Sequence, residues 1–166
     1  MLTGPDFDHM VRAYSAELFR FAYWQCRDRS LAEDTVQETF ARAWKSRAQL
    51  QNIEAVRPWL YRILRNESAR HYERKRLDMD EREFSELPIA DGSDLERDYA
   101  VREQVARLPA QYREPLLMQV LGGFSCAEIG DNLGIAEAAA MQRLTRARLA
   151  LRRTWLGEAE TKRKEV

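Results

Sequence analysis

The stretch from residue 59 to residue 76 interleaves arginines with aromatic side chains at helical spacing. Its members are Trp59, Tyr61, Arg62, Arg65, Asn66, Arg70, His71, Tyr72 and Arg74. Guanidinium groups neutralise phosphates, and aromatic rings stack on unpaired bases for roughly 1–3 kcal/mol per base. The pattern indicates a surface for single-stranded nucleic acid, although Trp59 and Tyr72, each taken alone, are more typical of a helix core.

An acidic and amide patch lies upstream of this stretch. Asp34, Gln37 and Glu38 are spaced i, i+3 and i+4, which makes them neighbours on one helix face. Arg42 and Lys45 follow one turn later. This combination indicates a protein-docking surface, and an ordinary solvated helix face is the alternative.

A second basic cluster lies near the end of the chain. It consists of Arg143, Arg146, Arg148, Arg152 and Arg153, with no acidic residue between Glu137 and Glu158. Before it, Ser125 and Glu128 have the spacing of a capping box, and Gly134 precedes one long predicted helix, residues 137–155. A capped short helix, a glycine turn and a longer basic helix are typical of a helix-turn-helix. A helical hairpin with a basic outer face is the alternative.

Groups able to carry out bond-changing chemistry are sparse. The histidines are His9 and His71, and the cysteines, Cys26 and Cys126, occur without CxxC or Cys/His spacing. The sequence has neither an HExxH motif nor the cluster of acids or histidines that a metal-dependent nuclease or hydrolase requires. We therefore predict no catalytic residue, no metal site and no cofactor, with both thiols reduced.

Apolar residues at spacings of three and four predict the helices that hold these groups. The first stripe consists of Phe7, Met10, Val11, Tyr14, Leu18, Phe21 and Ala22. A second helix is predicted to start near Leu31, with Ser30 and Glu33 as its capping box. The buried stripe of that helix is predicted to be Val36, Phe40 and Trp44. Pro58 suits the first turn of a third helix, because its missing amide hydrogen costs nothing there.

Composition and charge predict two small domains. The 166 residues are 45% hydrophobic with a formal net charge of zero, so the chain can bury a core. The charge is uneven, being +4 over residues 1–76, −6 over residues 77–97 and +2 over residues 98–166. The middle stretch also contains Pro, Gly and Ser without periodicity. We predict an all-α fold with helical domains at 1–76 and 98–166, joined by an acidic flexible linker at 77–97. The second domain carries the helix-turn-helix and a short C-terminal tail.

The sequence predicts neither membrane insertion nor export. No apolar run approaches the roughly 18 residues needed to cross a bilayer, and residues 1–6 carry no basic targeting segment. We expect a cytoplasmic protein.

Taken together, these motifs resemble the bacterial RNA polymerase sigma factors of the extracytoplasmic-function (ECF) group, over nearly the whole chain. The run from Glu33 to Trp44 resembles the family's polymerase-binding helix, and the run from Trp59 to Asn66 resembles the segment that opens the −10 promoter element. Residues 108–114 and 128–148 are similar to the part of the family that reads the −35 element.

The resemblance implies roles for three sets of residues. The set expected to dock on the coiled-coil clamp of the largest polymerase subunit is Asp34, Gln37, Glu38 and Arg42. The set expected to hold the unpaired −10 strand is Trp59, Arg62, Arg65, Asn66 and Arg70. Within it, Asn66 would contact an extruded base, together with the preceding loop at 46–57. The set expected at the −35 element is Met141, Gln142, Arg143, Thr145 and Arg146.

Two positions depart from the family's pattern. Arg70 stands where the family often has Asp, which changes either the −10 surface or its internal ion pairs. Residues 138–142, Ala-Ala-Ala-Met-Gln, replace the familiar run of Gly, Thr, Val, a base and Ser at the start of the recognition helix. This replacement removes a cation and a hydroxyl, so the −35 preference of the family does not transfer. Arg146 and Gln142 are the residues suited to guanine and adenine.

The predicted function is that of an alternative sigma factor, not of an enzyme. Such a protein binds core RNA polymerase and promoter DNA, recognises the −35 and −10 elements and promotes melting, and the family implies an anti-sigma factor that sequesters it. The alternative is a stand-alone helix-turn-helix regulator that does not bind core polymerase, for which the patch at residues 34–42 would be unnecessary.

Overall fold

Residues 2–78 and 93–164 are described by the computed structural model, and every regular element in these ranges is helical. The first range contains α1 (Gly4–Cys26), α2 (Arg29–Lys45), two 3-10 turns (Arg47–Gln49 and Ile53–Ala55) and α3 (Val56–Asp78). The second range contains α4 (Ser93–Arg107), α5 (Ala110–Val120), α6 (Cys126–Leu133) and α7 (Glu137–Lys164). The predicted all-α fold class is confirmed.

The chain divides into two compact units, Met1–Ala90 and Asp91–Val166. The division lies within the segment predicted to be an acidic linker, residues 77–97. Helices extend into both ends of that segment, because α3 ends at Asp78 and α4 begins at Ser93. The central residues, 79–92, lie outside the described part of the chain.

The three helices of the first unit share one core. Leu18 and Phe21 of α1 and Leu60 and Leu64 of α3 are completely buried, and Phe7 and Met10 of the predicted stripe are buried as well. The α2 stripe is confirmed at Val36 and Phe40 and wrong at Trp44. The Trp44 side chain is 39% exposed. Its ring packs edge-on against Phe7, with centroids 5.0 Å apart, and the Arg47 guanidinium lies over it at 3.9 Å.

The predicted capping box of α2 is also wrong. The helix begins at Arg29, and its N-cap is Asp28, whose side chain accepts a hydrogen bond of 3.0 Å from the amide of Leu31. Ser30 is therefore an exposed residue of the first turn. Glu33 does not reach back to Ser30; it pairs instead with Arg29, at 3.1 Å. An aspartate two residues upstream competes for the same orphan amides, and Asp caps as well as Ser does.

The second unit buries one face of α7 against α5 and α6. Its core contains Met118, Ile129 and Leu144, and Ala140 and Ala147 of α7 are completely buried as well. Helix α5 continues through its internal proline, Pro115. Helix α7 runs to Lys164, so the predicted C-terminal tail at 161–166 is helical over its described residues, 161–164. In the described ranges, no helix combines the length and apolarity that a bilayer crossing demands.

Candidate nucleic-acid interface

Helix α3 presents its basic residues on the side opposite the core. Arg62, Asn66 and Arg70 are exposed at intervals of four residues, and Trp59 and Arg65 are half-buried beside them. The opposite face carries Leu60 and Leu64, both fully buried. Of the set predicted for the −10 strand, all five members are therefore accessible at least in part.

Tyr61 is a correction to the predicted aromatic surface. Its side chain is completely buried, and its ring packs edge-on against Phe21 at 5.1 Å. The hydroxyl donates a hydrogen bond of 2.8 Å to Glu17 of α1. Burial, reinforced by this hydrogen bond, raises the pKa of Tyr61 above its usual range. Tyr61 is a core residue, and the side chain of Tyr72 lies outside the described part of the structure.

The segment between α2 and α3 is anchored by the same glutamate. Arg57 donates to Glu17 Oε1 from Nε at 2.8 Å and from Nη2 at 2.5 Å. Inside the segment, Asn52 caps the second 3-10 turn by accepting from the amide of Glu54 at 3.0 Å, and Ile53 is 62% exposed. The segment and α1 together line an open groove of about 840 Å³. The loop predicted to meet unpaired bases, residues 46–57, is therefore anchored to α1 at its α3 end, while Ile53 in its middle is exposed to solvent.

The docking patch predicted on α2 is exposed at Asp34, Gln37 and Glu38. Its fourth member differs, because Arg42 is half-buried and forms an ion pair with Glu67 of α3. The guanidinium of Arg42 also lies 3.7 Å from Glu38. Arg42 therefore connects the patch on α2 to α3.

Glu67 is a functional candidate that the sequence did not single out. Its side chain is 4% exposed, and Oε1 faces Arg42 and also Nη1 of Arg70, at 3.5 Å. Arg70, the position that departs from the family's pattern, therefore takes part in an ion pair within α3. Glu67 lies between two arginines. Its i, i+3 spacing to Arg70 is a local signal for one of them, but nothing in its sequence neighbourhood indicates Arg42, 25 residues upstream.

The second unit forms the predicted helix-turn-helix from α6, its turn and α7. Ser125 and Glu128 make the predicted capping box, with a hydrogen bond of 2.8 Å from the Ser125 amide to Glu128 and one of 3.2 Å from the Glu128 amide to Ser125. Gly134 ends α6 in the left-handed region at φ 69°, where an L side chain would be strained. These two devices fix where α7 starts relative to α6.

The residues predicted to meet the −35 element lie on the outer side of α7. Met141, Gln142, Thr145 and Arg146 are exposed, and Arg143 is half-buried. The Thr145 hydroxyl donates to the Met141 carbonyl at 3.0 Å. Two arginines of α7 are held by α5, since Arg146 donates to the hydroxyl of Tyr112 at 3.4 Å and Arg148 donates to Gln119.

Replacing Ser125 with alanine is expected to destabilise the second unit by about 0.5–2 kcal/mol, because the Glu128 amide at the start of α6 loses its side-chain acceptor. Chemical denaturation followed by circular dichroism measures the change. Ser15→Ala in α1 is the control for the second unit, since its hydroxyl bonds only to a carbonyl of its own helix. An unchanged unfolding midpoint for Ser125→Ala would contradict the role of the cap.

Metal-binding geometry is not found in the described residues, where no group of three or more His, Cys, Asp or Glu side chains is arranged to hold an ion. Cys26 and Cys126 are half-buried, and neither forms a disulfide within the described residues. The chemistry these surfaces offer is recognition by charge, hydrogen bonding and stacking.

Two helical units, one with an exposed basic helix and one with a capped helix-turn-helix, place the chain in the class of helical DNA-binding proteins. The conserved pattern of Sigma-70 region 2 matches residues 10–77, and that of Sigma-70 region 4 matches residues 99–151. The chain belongs to the ECF RNA polymerase sigma factors. It is an alternative sigma factor for transcription initiation and not a stand-alone regulator. Sigma factors are in general initiation factors without enzymatic activity.

Similar proteins span both units. The ECF RNA polymerase sigma factor SigL of Mycobacterium tuberculosis is 32% identical over 149 residues, which cover 85% of this chain and 84% of SigL. A probable RNA polymerase sigma factor, RfaY of Xanthomonas campestris pv. campestris, is 32% identical over 146 residues, which cover 81% of this chain but only 36% of RfaY. Among solved structures, the sigma factor RpoE of Bartonella quintana, in complex with the anti-sigma factor NepR, matches with a TM-score of 0.74 and 27% identity, over 89% of this chain and 95% of RpoE.

Proposed function

We propose that this chain binds core RNA polymerase through α2, captures the unpaired −10 strand with α3 and the loop before it, and reads the −35 element with α7. The observation that carries the proposal is the pairing of two exposed surfaces in one compact unit. The acidic and amide patch of α2 and the basic face of α3 share one core and are joined through Arg42 and Glu67. A stand-alone DNA-binding protein has no use for the first of these surfaces.

Docking on polymerase is assigned to Asp34, Gln37, Glu38 and Arg42. The first three are exposed on one face of α2, while Thr35, Val36 and Thr39 on the other face are buried. Two carboxylates beside an amide suit a basic partner surface, and charged contacts of this kind steer association as well as strengthen it. The proposed partner surface is the clamp of the largest polymerase subunit.

Melting is assigned to capture of the open state. Asn66 would hydrogen-bond an extruded base, Trp59 would stack on the strand, and Arg62 and Arg65 would supply positive charge beside its phosphates. Arg70 lies on the same face of α3, paired with Glu67. Stacking and ion pairing lower the free energy of the unpaired strand, so the duplex opens through differential binding and no bond changes. This proposal assigns no catalytic residue, since the polymerase carries out nucleotide addition.

Recognition of the −35 element is assigned to the exposed side of α7. In a helix-turn-helix, the N-terminal part of the second helix lies in the major groove. Arg146 is suited to guanine and Gln142 to adenine, and Met141 offers apolar contact to a thymine methyl. The Tyr112 hydroxyl supports this use of Arg146, because it restricts the guanidinium before DNA arrives.

The cellular setting follows from the proposed partners. Core polymerase and promoter DNA lie in the bacterial cytoplasm, so the chain would act there. Because RpoE of Bartonella quintana forms a complex with an anti-sigma factor, we extend a sequestering partner of that kind to this chain. The acidic linker predicted at 77–97 stays a prediction, and its role is open.

Promoter-dependent transcription in vitro tests the function. The full chain is added to sigma-free bacterial core polymerase on a pooled fragment library of the host genome, and transcript 5′ ends are sequenced. Initiation from a small set of fragments that share two spaced motifs is expected. Core polymerase alone on the same library is the control. Absence of initiation together with absence of core binding would overturn the proposal.

A further inference from the structure

The −10 face of α3 contains one carboxylate that two arginines share. The side chain of Glu67 is 4% exposed, and its Oε1 forms ion pairs with Arg42 of α2 and with Arg70 of its own helix. A carboxylate removed from water requires a counter-charge, and the guanidinium of Arg42 is sufficient to provide it. Arg70 is thus a second cation held by the same oxygen, while its own side chain remains 51% exposed.

Arg70 and Arg62 differ in this respect although both lie on the exposed side of α3. Within the described residues, Arg62 forms no ion pair, whereas Arg70 lies 3.5 Å from Glu67. An arginine with a carboxylate neighbour attracts a passing phosphate less than one without, because the negative charge of the carboxylate offsets it. The two arginines are therefore expected to contribute unequally to binding of the strand backbone.

We propose that Glu67 is a specificity-determining residue that restrains Arg70 and so lowers the attraction of the −10 face for phosphates of any sequence. Phosphate contacts carry no sequence information, while base contacts do. When Arg70 is paired with Glu67, recognition of the strand depends on the residues that contact bases. One of these is Asn66, which directly precedes Glu67 in the sequence. The inference rests on the proposed −10 role of α3.

Strand binding by the holoenzyme tests this inference. Holoenzyme is assembled from the full chain and sigma-free core, and two fluorescein-labelled single strands serve as probes: the non-template −10 strand of a promoter recovered by transcription, and its scrambled sequence. For Glu67→Gln, release of Arg70 adds one phosphate contact, which steepens the salt dependence of binding by about 0.7 and raises affinity for the scrambled strand about fivefold at 0.1 M salt. The promoter strand gains about twofold or less, since its base contacts already fix its position. Glu73→Gln, an exposed acid on the same helix, is the matched control and is expected to leave both affinities unchanged.

A loss of folding in Glu67→Gln would lower its affinity for both strands, which is the opposite of the gain expected for the scrambled strand. The double variant Glu67→Gln with Arg70→Gln is expected to return the scrambled-strand affinity and the salt dependence to the wild-type values. Unchanged or weaker binding of the scrambled strand by folded Glu67→Gln would overturn the inference, as would equal gains for the two strands.

Variants of the exposed arginines provide a second route that leaves Glu67 in place. Arg70→Gln is expected to change scrambled-strand affinity less than twofold, whereas Arg62→Gln lowers it about fivefold at 0.1 M salt. Equal losses for the two variants would show that Arg70 is not restrained, and the inference would then be wrong. If wild-type holoenzyme binds neither strand, the proposed function itself fails, and that outcome is distinct from wild-type binding with no effect of Glu67→Gln.

Discussion

Asp34→Lys combined with Glu38→Lys is expected to lower promoter-dependent transcription on the order of 100-fold, because the variant opposes a basic polymerase surface with two cations at the centre of the patch. Losing a charge pair at a protein interface costs about 2–5 kcal/mol, and like charges in contact add to it. Transcription from a recovered promoter measures the loss, and titration of core polymerase with the labelled chain locates it in docking. Duplex binding to a −35 fragment is expected to be unchanged, since that surface belongs to the second unit.

A charge-matched control is available on the same unit. Asp8→Lys, compared with Asp34→Lys alone, changes the net charge equally at an exposed position of α1 that lies outside the patch and outside the helix that carries it. Equal losses for patch and control variants would assign the effect to net charge and remove the docking role of α2.

Helix faces could be predicted from the sequence because burial and periodicity have a common cause. Phe7, Leu18 and Phe21 recur at helical spacing and lie in the core, since an amphipathic helix gains stability only when its apolar side faces a partner. Capping was predictable where one candidate stood alone, as at Ser125. The capping prediction was wrong at Ser30, because Asp28, two residues earlier, accepts the hydrogen bond from a first-turn amide instead.

Aromatic residues on α3 show the limit of periodicity. Tyr61 was expected on the nucleic-acid side, yet it lies in the core with its hydroxyl on Glu17. An amphipathic ring fits a surface or a core equally well by composition, and the deciding factor is a polar partner within reach. That partner is 44 residues away in the chain, so no local pattern could reveal it.

The same limit explains why the positioning of the site was only partly predictable. Asp34, Gln37, Asn66 and Arg62 were singled out by residue type and spacing, and all are exposed as expected. Glu17 and Glu67 hold the site through contacts between helices, to Arg57 and Arg42 respectively, and no local spacing indicates these contacts. The resemblance to a family predicted which surfaces are functional. The contacts that hold their side chains in place became visible only in the tertiary structure.

Gly130→Ala is expected to destabilise the second unit by about 1–3 kcal/mol, because a side chain at this position overpacks the turn. A Cβ at Gly130 would lie 2.8 Å from the carbonyl oxygen of Ile135 and 3.4 Å from the amide nitrogen of Glu137. Both neighbours are backbone atoms, and the Ile135 amide also donates to the Gly130 carbonyl at 2.9 Å. The clash can be relieved only by moving the start of α7 away from α6.

Movement of α7 is expected to affect DNA binding, because its first three turns carry Gln142 and Arg146. Binding of Gly130→Ala to a −35 duplex is expected to weaken about tenfold, as a displacement worth about 1.4 kcal/mol would produce, while docking of the first unit on core polymerase is unchanged. Gly157→Ala is the matched control: no atom lies within 4 Å of its Cβ, so the substitution is expected to stabilise α7 by about 0.8–1 kcal/mol. Denaturation and duplex titration of both variants decide the matter, and wild-type duplex affinity in Gly130→Ala would show that the close approach of α6 to the turn does not set the position of α7.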